Sequence, residues 1–233
     1  MNMEQARPYL GSSQGQLSEF IGFLEFEEVG CVSRSLPVLR KKQILVRQGE
    51  TFHGLYVVRC GMLKQSYWNT DGEEVTHFLL PGDVIGLDAI VGGCYLGRVT
   101  ALETVGIVQI PFARINDFPG GHENYIQVLC YLSSFIQREY MRIRQIKNQS
   151  AEVRLARFFL TMSHNFQVQG YSPYRFRLPM TRCDIASYLS MSFETISRLI
   201  GRFKKNGVLS AKGHEYCIHD IYALRRAAEI EEC

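Results

Sequence analysis

TRCDIASYLSMSFETISRLIGRFKKNGVLSAKG, residues 181–213, decides how this chain reads. Thr181 followed by Asp184 is a capping pattern, in which hydroxyl and carboxylate satisfy orphan backbone N–H groups, so a short helix starts here. Ile185 and Leu189 give that helix an inward face, Ala186 leaves room for a crossing partner, and Ser190-Met191 makes a tight turn. Ser192 then caps a second helix, running to about Lys205, with Ile196, Leu199, Ile200 and Phe203 as its buried stripe. Phe193, Glu194, Ser197, Arg198, Arg202 and Lys205 are left on its other faces. Two short helices, a turn and an exposed polar stripe make a helix-turn-helix. After it, VLSAKGHEYCIH alternates around Lys212-Gly213 and reads as the hairpin of a winged variant.

The charge pattern agrees with this. The 233 residues carry a net charge of only +3, but 14 Lys/Arg face 15 Asp/Glu through Lys147, whereas 12 face 8 from Asn148 onward. Eight bases fall between Arg175 and Lys212, against Asp184 and Glu194 alone, so a polyanion would bind at this end. The length fits two domains, and 46% hydrophobic residues suffice for ordinary cores. No run approaches the roughly 18 apolar residues of a membrane span, and MNMEQARPYLGSSQGQ lacks the layout of a secretion signal, so a cytoplasmic protein is expected.

Upstream, from about Pro37 to Ile110, short alternating strands are punctuated by Gly49, Gly61, Gly72, Gly82 and Gly86. Strand residues such as Leu55, Val57, Phe78 and Val108 indicate an antiparallel barrel or roll. After Gly121 the texture becomes helical: Ile126, Leu129, Ser133, Ile136, Tyr140, Ile143 and Lys147 recur at alternating spacings of three and four, a coiled-coil seam that a helix packed on its own domain would also show. A further amphipathic helix, AEVRLARFFLTMSHNF, leads into the helix-turn-helix. The expected fold class is α+β: an N-terminal extension over 1–30, an antiparallel β-roll over 31–120, a dimerisation helix over 121–148 and a winged helix-turn-helix over 149–233.

Seven cysteines are scattered without a CxxC pair or zinc-like spacing, which suits reduced thiols. His214, Cys217 and His219 come nearest to a metal pattern, but strand alternation is taken to set Cys217 opposite the other two, so no metal is expected. There is no GxxxxGK[ST], HExxH or GxSxG, so the chain does not read as an enzyme.

The 181–213 segment closely resembles the DNA-binding domain of the CRP-FNR family, and its FETISR stretch resembles the FNR and FixK-like branch. The likeness extends upstream through QGETFHGLYVVRCGMLK, FLLPGDVIGLDAI and ALETVGIVQIPF, which look like the family's effector roll. It implies a β-roll, a long dimerisation helix and a winged helix-turn-helix acting as a homodimer on double-stranded palindromic DNA, with RNA polymerase as a further partner. Resemblance to the oxygen-responsive branch implies gene control, as an activator, in microaerobic or anaerobic metabolism, including respiration or nitrogen fixation. Two departures stand out. FNR proper holds an iron-sulfur cluster on four cysteines, but here the N-terminal region offers only Cys31, and the position resembling the fourth ligand is Val108. The cyclic-nucleotide receptor cradles phosphate with a Glu after the GD turn and an Arg-Ser pair downstream; here Leu87 stands in the first position and the second reads Leu96-Gly97-Arg98-Val99. No cofactor is expected. The alternative is an effector-dependent regulator of the same fold, binding a cyclic nucleotide or a haem served by His53, His77 or His122.

Arg pairs bidentately with guanine in the major groove and Glu accepts from a cytosine amine, and Glu194 and Arg198, four apart, project from one helix face. The plain alternative is an i,i+4 ion pair worth about 0.2 to 0.5 kcal/mol. Resemblance to the family's E-x-x-S-R pattern, here Glu194, Ser197 and Arg198, implies half-sites of the TTGAT type arranged as TTGAT-N4-ATCAA, with Phe193 against a thymine methyl. Thr181, Arg182, Ser192, Thr195, Arg202, Lys205 and Lys212 read as phosphate clamps, although Arg202 and Lys205 would suit a solvated face equally. Cys183, where family members often have Gly, sits just inside a helix N-terminus beside Arg182, two features that favour the reactive thiolate and make it a redox candidate.

Overall fold

The computed structural model describes residues 33–113 and 121–229, with side chains from Leu129 onward in the helix that begins at Gly121. The expected extension over 1–30, with Cys31, lies outside the described residues, as do the side chains of His122 and Ile126. The chain divides into two compact units at Gln137/Arg138.

Among the described residues the first unit contains eight strands: β1 (Arg34–Ser35), β2 (Ile44–Val46), β3 (Gly54–Cys60), β4 (Leu63–Asn69), β5 (Gly72–Leu79), β6 (Val84–Ile85), β7 (Arg98–Ala101) and β8 (Gly106–Pro111). They form two antiparallel sheets, ordered β1-β8-β3-β6 and β2-β7-β4-β5. All five glycines read as turns do adopt positive φ. Alternation explains β3, which is buried through its first five residues. Tyr56 and Val58 face the core between the sheets with Val46, Leu63, Leu79, Val99 and Ile107, while Leu55 and Val57 face the opposite way with Val84, Ile110 and Tyr131.

Tyr131 belongs to α1 (Gly121–Asn148), and its hydroxyl accepts a hydrogen bond from the Val84 backbone N–H at 3.0 Å. One face of the helix therefore closes the second apolar layer of the roll. Phe135, one turn on, stacks with His77 at 6.2 Å. The seam residues lie elsewhere on the helix: Leu129, Ser133, Ile136, Tyr140 and Ile143 are all exposed, Tyr140 to 72%.

Inside the roll, Tyr95 is buried and its hydroxyl donates to the Gly54 carbonyl at 2.7 Å. It packs against Gly86, whose left-handed φ of 97° and lack of a side chain make room for the ring. Burial pushes the phenols of both Tyr95 and Tyr56 above the ordinary range. Tyr95→Phe leaves the Gly54 carbonyl without this donor, and a loss of about 1 to 2 kcal/mol is expected in urea unfolding of the roll.

The second unit contains α2 (Ala151–Val168), β9 (Arg175–Arg177), α3 (Arg182–Tyr188), α4 (Phe193–Lys205), β10 (Leu209–Lys212), β11 (Glu215–Ile218) and α5 (Ile221–Ala227). The three strands form one antiparallel sheet, ordered β10-β11-β9. Its core joins Phe159 of α2, Ile185 of α3, Ile196 and Phe203 of α4, and Leu209, Tyr216 and Ile218 of the sheet, all buried.

Candidate nucleic-acid interface

Local sequence sets each end of the two motif helices. Thr181 and Asp184 make the full capping box: Thr181 Oγ1 accepts from Asp184 N–H at 3.1 Å while Asp184 Oδ2 accepts from Thr181 N–H at 2.8 Å. The turn is made by Ser190 at φ 51°, and Ser192 Oγ accepts from Thr195 N–H at 3.2 Å to open α4. Ile196, Leu199, Ile200 and Phe203 form the buried stripe that the spacing predicts. β10 and β11 form the wing hairpin around Gly213, which takes φ 62°.

This framework leaves Phe193, Glu194 and Arg198 exposed near the start of α4, and among the described residues neither Glu194 nor Arg198 is held in an ion pair. Lys212 is exposed at the wing, and Lys205 is exposed at the end of α4 together with Lys204, which the sequence reading passed over. Ser192 and Thr195 hydrogen-bond through their hydroxyls at 3.1 Å, so both are tied into the helix start.

Other assigned residues sit differently. Ser197 Oγ is buried and has no hydrogen-bond partner among the described residues, so it does not share the exposed surface of Glu194 and Arg198. Arg202 pairs with Glu152 of α2, a contact across fifty residues that helical periodicity cannot reveal. Both side chains remain partly exposed, so this pair contributes at most about 1 kcal/mol.

Thr181, Arg182, Cys183 and Phe193 come together with Met180, Gly213, His214 and Tyr216 around a cavity of about 390 Å³. Burial raises the Tyr216 phenol above its usual range, while the Arg182 guanidinium and its hydrogen bond pull it back. The Cys183 thiol is exposed at this cavity. His214 and Tyr216 were not among the expected site residues; their places just beyond the Gly213 turn are what bring them here.

One sequence expectation is corrected. Cys217 does not stand opposite both histidines, because strand parity pairs it with His219, and Cys217 Sγ lies 3.9 Å from His219 Nδ1. His214 instead bonds through Nδ1 to the Leu178 carbonyl at 2.9 Å. Among the described residues no group of three or more His, Cys, Asp or Glu is placed to hold a metal ion, and no helix is long and apolar enough to cross a membrane.

Known proteins are similar to this chain in sequence and in fold. Residues 153–227 match the family model of the Crp-like helix-turn-helix domain, and residues 37–119 that of the cyclic nucleotide-binding domain. The chain is 40% identical over 200 residues to the fumarate and nitrate reduction regulatory protein of Escherichia coli K12, covering 84% of this chain and 79% of that protein. It is 38% identical over 195 residues to the anaerobic regulatory protein of Haemophilus influenzae, covering 83% of this chain and 76% of that one. In fold it is similar to FixK2 from Bradyrhizobium japonicum, with a TM-score of 0.72 at 21% identity over 87% of this chain and 98% of that chain. With both of its domains matched and these relatives aligned over most of their length, the chain belongs to the CRP-FNR family of DNA-binding transcription regulators.

Proposed function

We propose that the protein is a cytoplasmic homodimer that reads TTGAT-N4-ATCAA palindromes and activates microaerobic or anaerobic genes, nitrogen fixation among them, through RNA polymerase. In this reading residues 31–120 are the sensing roll, 121–148 the dimerisation helix and 149–233 the DNA-binding domain, after an extension over 1–30. The observation that carries it is the exposed Glu194 and Arg198 at the capped start of α4, in no ion pair among the described residues, the side-chain pair that can address adjacent base pairs in the major groove. The exposed stripe Leu129, Ile136, Tyr140 and Ile143 supports association through α1, as a coiled-coil seam needs a second copy to cover it.

The regulator acts in this reading without a bound effector. Tyr95 fills the space beside Gly86, and Arg98 leans over the Trp68 ring at 5.0 Å on the face opposite Val99, which points into the core. His53 already spends both ring nitrogens, on the Thr51 carbonyl and the Tyr56 hydroxyl. Purified protein is expected to bind a TTGAT-N4-ATCAA duplex in a mobility-shift titration with nothing added. Binding only after addition of cyclic AMP or haem would establish the effector-dependent alternative instead.

Cys183 adds a redox input in this proposal. Peroxide takes its thiol to sulfenic and then sulfinic acid, each step consuming one peroxide and releasing water, and the resulting anion opposes the DNA phosphates that approach Thr181 and Arg182, which line the same cavity. Peroxide is expected to lower operator affinity of the wild type and spare Cys183→Ser, with reductant restoring binding only before the sulfinate stage. Equal loss in both proteins removes Cys183 from the mechanism.

A further inference from the structure

The outer face of the wing sheet carries a cluster that DNA reading does not use. In β11, Tyr216 and Ile218 are buried, which turns Cys217 to the other side of the sheet. The strand register sets Ser210 of β10 and Arg175 of β9 directly across from Cys217, one on each side. His219 lies just past the strand on the same face, with Nδ1 3.9 Å from Cys217 Sγ and Nε2 3.0 Å from Ser210 Oγ. A neutral imidazole has one donor and one acceptor nitrogen, so when Nε2–H donates to the Ser210 hydroxyl, Nδ1 is left to accept the thiol proton. Nucleophile, base and orienting hydroxyl are thereby lined up, the arrangement that activates weak nucleophiles.

We propose that Cys217 is a thiol-modification site for small, anionic disulfides, with His219 as its proton acceptor and Ser210 as the group that orients His219. The reaction is thiol–disulfide exchange. The Cys217 proton passes to His219 Nδ1, the thiolate sulfur attacks one sulfur of the incoming disulfide, the S–S bond breaks, and the departing thiolate takes the proton. Cys217 ends oxidised as a mixed disulfide, and the reagent ends as one equivalent of reduced thiol. Arg175, exposed across the strand, supplies a cation for the carboxylates of such a reagent. The site goes beyond the operator-reading proposal and is separate from Cys183.

The test uses the full chain in a Cys183→Ser background, so that failure here and failure of the Cys183 reading are told apart. Oxidised glutathione is added, and the adduct at each cysteine is followed over time by peptide mass spectrometry. Cys217 is expected to react about tenfold faster than Cys60, an exposed thiol without an imidazole in hydrogen-bonding reach among the described residues. His219→Gln is expected to bring Cys217 down to the Cys60 rate, and Ser210→Ala to give an intermediate rate, with circular dichroism unchanged in both since these side chains lie on the sheet surface. A Cys217 rate equal to that of Cys60 in the parent, or one untouched by His219→Gln, overturns the proposal.

Discussion

Arg198→Ala is expected to erase the protein's preference for TTGAT half-sites while leaving it folded and able to bind DNA in general. Arg198 is exposed and caps nothing, so the fold loses no buried contact when it is shortened. Readout loses a bidentate guanine contact worth about 1 to 3 kcal/mol per half-site, and a symmetric dimer loses it twice. Lys212→Ala makes the contrast: a phosphate contact at the exposed wing carries no sequence information, so all duplexes should weaken alike, with the salt slope falling by about one per subunit. Competition titrations of specific against scrambled duplex, at two salt concentrations, separate the two variants. An Arg198→Ala protein that kept the wild-type margin for TTGAT would refute the assigned readout.

Ile136→Glu is expected to produce monomers. Ile136 is 53% exposed in the single chain, so a carboxylate there costs the protomer little and circular dichroism should not change. Across a seam, the same carboxylate faces its own copy, and two like charges removed from water without partners cost several kcal/mol, enough to dominate a short coiled coil. Sedimentation should report a monomer at concentrations where wild type is dimeric, and operator binding should fall to that of isolated half-sites. An unchanged dimer would move association to another surface.

How much of this could be read from the sequence depended on the range of the interactions. The capping box of α3, the Ser192 cap of α4, the Ser190 turn, the buried stripe of α4 and the glycine turns of the roll all depend on neighbours within a few residues, and each appears where the spacing puts it. The long-range partners were hidden. Nothing near Arg202 announces Glu152, and nothing near Tyr131 announces the Val84 amide, because both contacts are created by the crossing of elements far apart in the chain. Ser197 shows the limit within a single helix: periodicity placed it among the exposed positions, yet its hydroxyl turns into the protein. The Cys217 error was one of strand parity, since residues two apart share a face.

The two-sided use of α1 has a thermodynamic consequence. One side of its first half, through Tyr131 and Phe135, completes the apolar layer and hydrogen bonding of the roll, while Leu129 and Ile136 on the same turns are exposed, the face proposed for a second copy. In the proposed dimer, docking of the helix onto its own roll and association with a partner helix share this one segment, and whichever forms first spares the other the entropy of ordering it. By linkage the coupling is reciprocal: tighter association steadies the roll, and a better-packed roll tightens association. In such a dimer the roll is expected to show a melting temperature that climbs with protein concentration, even though none of its own contacts has changed.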